Sequence, residues 1–338
     1  MFVVAGGQVW MSKYLIDLLY LYYTYLTFGA MSSPESSEGS EPVKYKPCLP
    51  CSYNISIKDL NFEGIPKDLH VPVGVALSMV DAVITKHPID NFSKIEKQKR
   101  PDLMQMFPTQ PDFVIATKSD EENAFPATAN VVDMRMAVYN LTCSPASLMA
   151  NEILRSCLLG TQYRVNPVTL RFDRKLIFAH HWPSKEPIFK ELQNPQHVVV
   201  KISSPDETQQ WIVDPTIAQY GESMELRFCT AKEYEIYAEP RTNDPPLKEI
   251  DTKELESLRE EINDAEYWGA GLDAVVKVLA AKLTEKREGE QGTENKGAGD
   301  KVKGEITNHT IVLALTPKEI DDMIEDVKNR MDPHSYRD

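Results

Sequence analysis

Apolar and polar positions change period several times along the chain, and each change marks an element. Val71 to Ile84 is a nearly unbroken apolar run, which predicts a buried helix ended near His87-Pro88. Asn130 to Tyr139 sets Val132, Met136 and Tyr139 at helical spacing. Ser147 to Leu159 does the same with Leu148, Ile153, Leu154 and Leu158, and Gly160 ends it. Strand-like segments are Phe113 to Ala116, inside a Pro-rich stretch from Pro101 to Pro126, then Tyr163 to Phe172, His197 to Ile202 and Gln210 to Val213. Lys232 to Glu239 is read as a further short strand or helix.

After Pro246 the pattern becomes purely helical. Asp251-x-x-Glu254 resembles a capping box, and Leu255, Leu258, Ile262 and Ala265 follow it as an apolar stripe. Trp268-Gly269-Ala270-Gly271 is read as a break, before a second stripe of Leu272, Val275, Val276, Leu279 and Leu283. The Gly/Lys/Glu-rich tract 285–305 is expected to be a disordered linker. Thr316-Pro317-Lys318-Glu319 combines a cap, a first-turn proline and an acidic third position, so it starts a last helix with Ile320, Met323, Ile324 and Val327 on its apolar face. Three regions result: an apolar N-terminus and polar leader (1–42), a central domain (43–246) and a helical C-terminal region (247–338).

Composition narrows the function classes. The 338-residue chain is 42% hydrophobic, enough for a substantial core, and carries a net charge of −14. That charge excludes a general nucleic-acid surface, which needs a basic patch. The densest basic cluster, Lys94, Lys97, Lys99 and Arg100, is read as a solvated face. Five cysteines in a chain this long point to reduced thiols and a cytoplasmic location rather than a disulfide framework. Cys48-Leu49-Pro50-Cys51 has metal-ligand spacing, but no second pair or nearby His pair completes a zinc site, so neither metal nor cofactor is expected. Tyr14 to Ala30 is apolar but short for a span and interrupted by Asp17, so a membrane partner is not expected, although this segment leaves an anchor or signal open. Met31 offers an alternative start.

The candidate chemistry lies in Cys143, His197 and Asp214. A thiol attacks as its thiolate, and a helix N-terminus lowers its pKa through free N–H groups and the helix dipole. Cys143-Ser144-Pro145 fits a helix start, whereas Cys157 lies in mid-helix and is read as core. If His197 opposes Asp214 in a hairpin, their numbers sum to 197 + 214 = 411, and the turn centres between Pro205 and Asp206, both strong turn residues. A proline there favours a type I turn and a loop of about four residues. Opposed side chains on one face lie within reach of a His–carboxylate hydrogen bond. In such a trio His197 exchanges the proton of Cys143, and Asp214 orients the ring. His180-His181 competes as the base, but no carboxylate is comparably paired with it.

These residues resemble the transglutaminase-like superfamily, a branch of the papain-like cysteine fold, over about Asn130 to Gly221. The resemblance is carried by Cys143, Ala146, Leu154-Arg155, Gly160 and Arg164, then His197-Val198-Val199-Val200, then Trp211-Ile212-Val213-Asp214-Pro215-Thr216 with Gln219-Tyr220-Gly221. It implies an α+β fold with a helix packed on an antiparallel sheet, to which this chain adds C-terminal helices. It implies a Cys143–His197–Asp214 triad for cysteine-dependent acyl transfer or amide hydrolysis on a protein or peptide amide. Leu141-Thr142, Pro145 and an insertion around Arg171 to Pro195 depart from the family pattern. They leave a catalytically inactive interaction module on the same fold as the alternative. Asn140 and Gln162 are the candidate side-chain donors to an oxyanion.

Overall fold

Helix α1 (Lys67–Ile84) is buried from Pro72 to its end, as an apolar run without a polar stripe requires. It begins one turn earlier than the apolar run, with Asp68 in its first turn, and contains Pro72. Pro72 has no N–H to offer the carbonyl of Asp68 four residues back. The ring of His309 takes its place, with Nε2 donating to that carbonyl at 3.1 Å. A distant residue therefore repairs a backbone defect that α1 carries in its own sequence.

The computed structural model describes residues 3–5, 8–10, 62, 64–86, 92–99, 113–118, 131–139, 142–171, 177–181, 196–221, 224–238, 247–294 and 306–331. Residues 1–46 form one unit, in which β1 (Val3–Ala5) pairs antiparallel with β2 (Gln8–Trp10). The apolar segment Tyr14–Ala30, Cys48 and Cys51 lie outside the described residues. No helix among the described residues is long and apolar enough to cross a membrane.

The rest of the chain is mixed α+β around an antiparallel sheet. Strands β3 (Phe92–Gln98) and β4 (Phe113–Lys118) pair antiparallel, and β4 runs parallel to β6 (Ile177–His181). The sequence pattern hides β3, because a bulge between Phe92 and Lys94 breaks its alternation and leaves Phe92 and Ile95 buried three residues apart. Lys94, Lys97 and Lys99 stand exposed along it. Helices α2 (Val131–Tyr139) and α3 (Cys143–Cys157) follow, and then β5 (Arg164–Arg171).

The main sheet joins β5, β7 (Gln196–Ser203), β8 (Gln210–Val213), β9 (Phe228–Thr230) and β10 (Lys248–Glu249) in the order β10-β5-β7-β8-β9, every pair antiparallel. Alternation divides its side chains between two cores. Val200, Ile202, Trp211 and Val213 join the cluster built on α1 and α3. Val199, Ile212 and Leu170 join a smaller cluster with Tyr220 and with Tyr234 of α4 (Ala231–Ala238), the helix that the 232–239 segment forms.

The C-terminal helices belong to the larger cluster. Helix α5 (Thr252–Asp264) is followed by α6 (Glu266–Glu294), α7 (Asn308–Leu313) and α8 (Pro317–Arg330). The break expected at 268–271 falls instead at Ala265, and both glycines sit inside α6. Gly271 is there for packing: a Cβ on it would lie 2.6 Å from Cγ1 of Val83 in α1. The tract expected to be a linker from residue 285 is helical as far as Glu294. Lys286 pairs with Glu319 of α8 at 2.7 Å and Arg287 donates to Asn308 of α7 at 2.6 Å, so side-chain partners support helix where composition argues against it. Thr316 forms the full capping box expected of it, with Glu319.

Candidate functional site

Three elements deliver the three candidate residues. Cys143 is the first residue of α3; Thr142 holds the N-cap position before it, but its hydroxyl donates back to the Tyr139 carbonyl at 2.8 Å and caps no helix N–H. The helix is held on the sheet by Ser147, one turn on, whose hydroxyl donates to the carbonyl of Val198 at 2.7 Å. Cys143 and Ser147 share one helix side, so this bond aims the thiol at the start of β7. His197 is the second residue of β7, beside Leu170 of β5. Asp214 follows the last residue of β8.

His197 Nε2 lies 2.7 Å from Asp214 Oδ2, and both side chains are wholly buried. The hairpin that joins them has the expected four-residue loop. Glu207 N–H closes a turn on Ser204 C=O at 2.9 Å, with Pro205 next after Ser204. Its register differs from the expected one. Val200 opposes Val213 and Ser203 opposes Gln210, so paired numbers sum to 413 rather than 411. Asp206 explains the offset: its carboxylate accepts from Ser204 Oγ, Thr208 N–H and Thr208 Oγ1, drawing Thr208 into the loop. The left-handed φ of 59° at Glu207 completes it. A shift of two in the sum keeps every side chain on its face. His197 and Asp214 therefore meet diagonally, with Asp214 level with Val199.

The thiol completes the cluster. Cys143 is part-exposed, while His197 and Asp214 have no exposure. Burial pushes the Cys143 thiol up, but hydrogen bonding and charge from His197, with smaller help from the Val198 backbone and Ser144, bring it below the usual thiol value. Burial likewise disfavours a charged His197, and the Asp214 carboxylate followed by the thiol outweighs it, carrying the ring up to about 9. Burial raises Asp214 too, and His197, Tyr234 and the Thr216 backbone outweigh it, holding the carboxyl below its usual range. Cys157 and Cys229 have no such neighbours, and burial takes both up to about 12. Among the free cysteines described, Cys143 alone carries a lowered thiol pKa.

Further residues complete the site. Tyr234 of α4 donates its hydroxyl to Asp214 Oδ2 at 2.5 Å. Thr216 N–H donates to Oδ1 at 2.9 Å. Tyr220 stands edge-on to the His197 ring, with centroids 5.0 Å apart at 89°. Gln219, on the 3-10 turn Ile217–Tyr220, places Nε2 3.2 Å from His197 Nδ1. Behind them Arg227 grips the Asp214 loop. Its carbonyl accepts from Asp214 N–H at 2.8 Å, and its Nη2 donates to Pro215 C=O at 3.0 Å. The guanidinium is bidentate on Asp81 of α1 at 2.7 and 2.8 Å, and Asp81 also accepts from Tyr139 of α2 at 2.7 Å.

The other candidates fall elsewhere. Gln162 is exposed beyond the far end of α3, about 20 Å along the axis from Cys143. Asn140 lies outside the described residues. His180 and His181 belong to β6 in the three-stranded sheet. No group of acids, histidines and cysteines suited to a metal ion occurs among the described residues. Gln219 sits in the Gln-Tyr-Gly triplet that follows the Asp-Pro-Thr motif, but its role needed the three-dimensional turn. No protein-family model matches the chain, and no curated protein or solved structure matches it.

Proposed function

We propose that the chain is a cysteine-dependent acyl-transfer enzyme of transglutaminase-like type, acting on a protein or peptide amide without a cofactor. The observation that carries this reading is one buried imidazole, bound at Nε2 to Asp214 at 2.7 Å and near enough to Cys143 to hold its thiol below the usual value. With Nε2 given to Asp214, Nδ1 is the ring atom left to exchange a proton with the thiol, and it also lies 3.2 Å from Gln219 Nε2.

The chemistry follows from that order. The Cys143 thiolate attacks the amide carbonyl carbon, and the carbonyl oxygen becomes an oxyanion. The N–H groups of Cys143 and Ser144 belong to the first turn of α3, where no helical carbonyl takes them, so they suit that charge. His197, as imidazolium, gives its Nδ1 proton to the nitrogen as the C–N bond breaks. An amine leaves and a thioester remains on Cys143. Water or a second amine then attacks the thioester, His197 takes the proton, and the thiolate departs with an acid or a new amide formed. Asp214 supports the imidazolium throughout, without taking up its proton.

Incubation with a glutamine-containing peptide library and hydroxylamine tests the reading. Hydroxylamine intercepts an acyl-enzyme as a hydroxamate, and Cys143→Ala should abolish the product. Hydroxamate formed equally by C143A, or by neither protein, favours the inactive interaction module.

A further inference from the structure

Gln219 closes a ring of hydrogen bonds around the triad. Asp214 Oδ2 bonds His197 Nε2 at 2.7 Å, and His197 Nδ1 meets Gln219 Nε2 at 3.2 Å. Gln219 Nε2 donates to Thr216 Oγ1 at 3.1 Å, and Thr216 Oγ1 donates to Asp214 Oδ1 at 3.4 Å. A hydroxyl has one proton. Having given it to Asp214, Thr216 can only accept from Gln219, and this fixes the carboxamide with its nitrogen toward Thr216 and toward Nδ1. Gln219 is also buried, so water does not turn it.

The amide nitrogen of Gln219 has donors only. It can bond Nδ1 when that atom holds a lone pair, in the neutral ring with its proton on Nε2. It opposes an Nδ1 that carries a proton, the form that faces a thiolate. The groups around the ring are Cys143 from α3, Asp214 at the end of β8, Tyr220 from the 3-10 turn, and Tyr234 from α4 acting through Asp214. Asp214 favours the charged ring, the Cys143 thiol offers Nδ1 a donor only while it keeps its proton, and Gln219 offers the neutral ring a donor at Nδ1 in either state of the thiol. We propose that Gln219 is a positioning residue that restrains the charging of His197, so that the thiolate–imidazolium pair forms against a built-in brake set by Thr216.

The inference rests on the acyl-transfer reading of this site, and one experiment separates the two. The full chain is alkylated with iodoacetate across pH, and modification is read by mass spectrometry on the Cys143 peptide. Iodoacetate is anionic, so its rate rises as the thiolate forms and falls as the imidazolium is lost. Gln219→Leu removes the donor and should move the falling limb up by roughly half to one pH unit, the worth of one neutral hydrogen bond. Thr216→Val frees the carboxamide to turn its oxygen toward Nδ1, so the limb should move the same way. It serves as the test if Q219L does not fold by circular dichroism. A limb that stays in place or moves down in the folded variant overturns the brake. A wild-type profile without a falling limb overturns the acyl-transfer reading itself.

Discussion

Asp214 stands diagonally across the β7–β8 ladder from His197, its carboxylate 2.7 Å from Nε2, and Tyr234 donates to the same oxygen at 2.5 Å. One carboxylate thus fixes the ring's orientation and favours its charge. Asp214→Asn keeps the shape and removes the charge. Acyl transfer, followed as hydroxamate release, should fall by about 10³–10⁴-fold. A loss under tenfold would mean that Asp214 serves only to shape the strand end.

The same pair gives a signed dependence of stability on pH. His197 is raised from 6.5 to about 9, so its contribution is complete below 6.5 and is lost as pH rises through about 9. Cys143 is lowered, so its contribution is present above the unfolded thiol value and lost as pH falls through the folded one. Where the Cys143 window falls within the His197 window of 6.5 to about 9, the two oppose each other. Cys143→Ala removes the second and leaves Asp214 on the ring. In urea titrations its unfolding free energy should therefore decline with pH across that window more steeply than the wild type's. Parallel slopes for the two proteins contradict this assignment.

How much of the site was readable from the sequence depended on range. The cysteine at a helix start, the strand Gln210–Val213, the four-residue loop at Pro205 and the cap at Thr316 all rest on residues a few positions apart. Local chemistry decides them. The hairpin register was off by two because Asp206 draws Thr208 into the loop, a side-chain effect that turn propensity does not carry. Even so, the evenness of the offset preserved the face. Tyr234 and the Asp81–Arg227 pair left no sequence signal, and Gln219 showed only as part of a motif without a role, since their partners lie 20, 146 and 22 positions away. Gly269 and Gly271 read as a break because propensity counts glycine against helix. Gly271 instead lets α6 approach Val83.

The Asp81–Arg227 pair makes a separate prediction. Arg227 is fully buried and Asp81 nearly so, which makes loss of one partner costly. Asp81→Asn should destabilise by about 3–5 kcal/mol in chemical denaturation, because the guanidinium keeps its charge without a counterion. The double variant D81L/R227M, which removes both charges, should be more stable than D81N. Additive losses in the double variant would show that the two residues act independently.

Pro72 and His309 permit a cleaner cycle. His309→Ala should cost about 0.5–1.5 kcal/mol by leaving the Asp68 carbonyl without its donor. In a Pro72→Ala background the backbone N–H returns to that carbonyl, and the same substitution should cost less. Equal costs in the two backgrounds would show that His309 does not serve the proline defect.

The central claim, that Cys143 is a nucleophile activated by His197, is tested most directly by the pH profile of its alkylation with iodoacetamide. The peptide carrying Cys143 is followed by mass spectrometry in the wild type and in His197→Ala. The profile should rise well below the usual thiol value of about 8.5 in the wild type and return toward it in the variant. A wild-type rise near 8.5 that H197A leaves unchanged would contradict the claim.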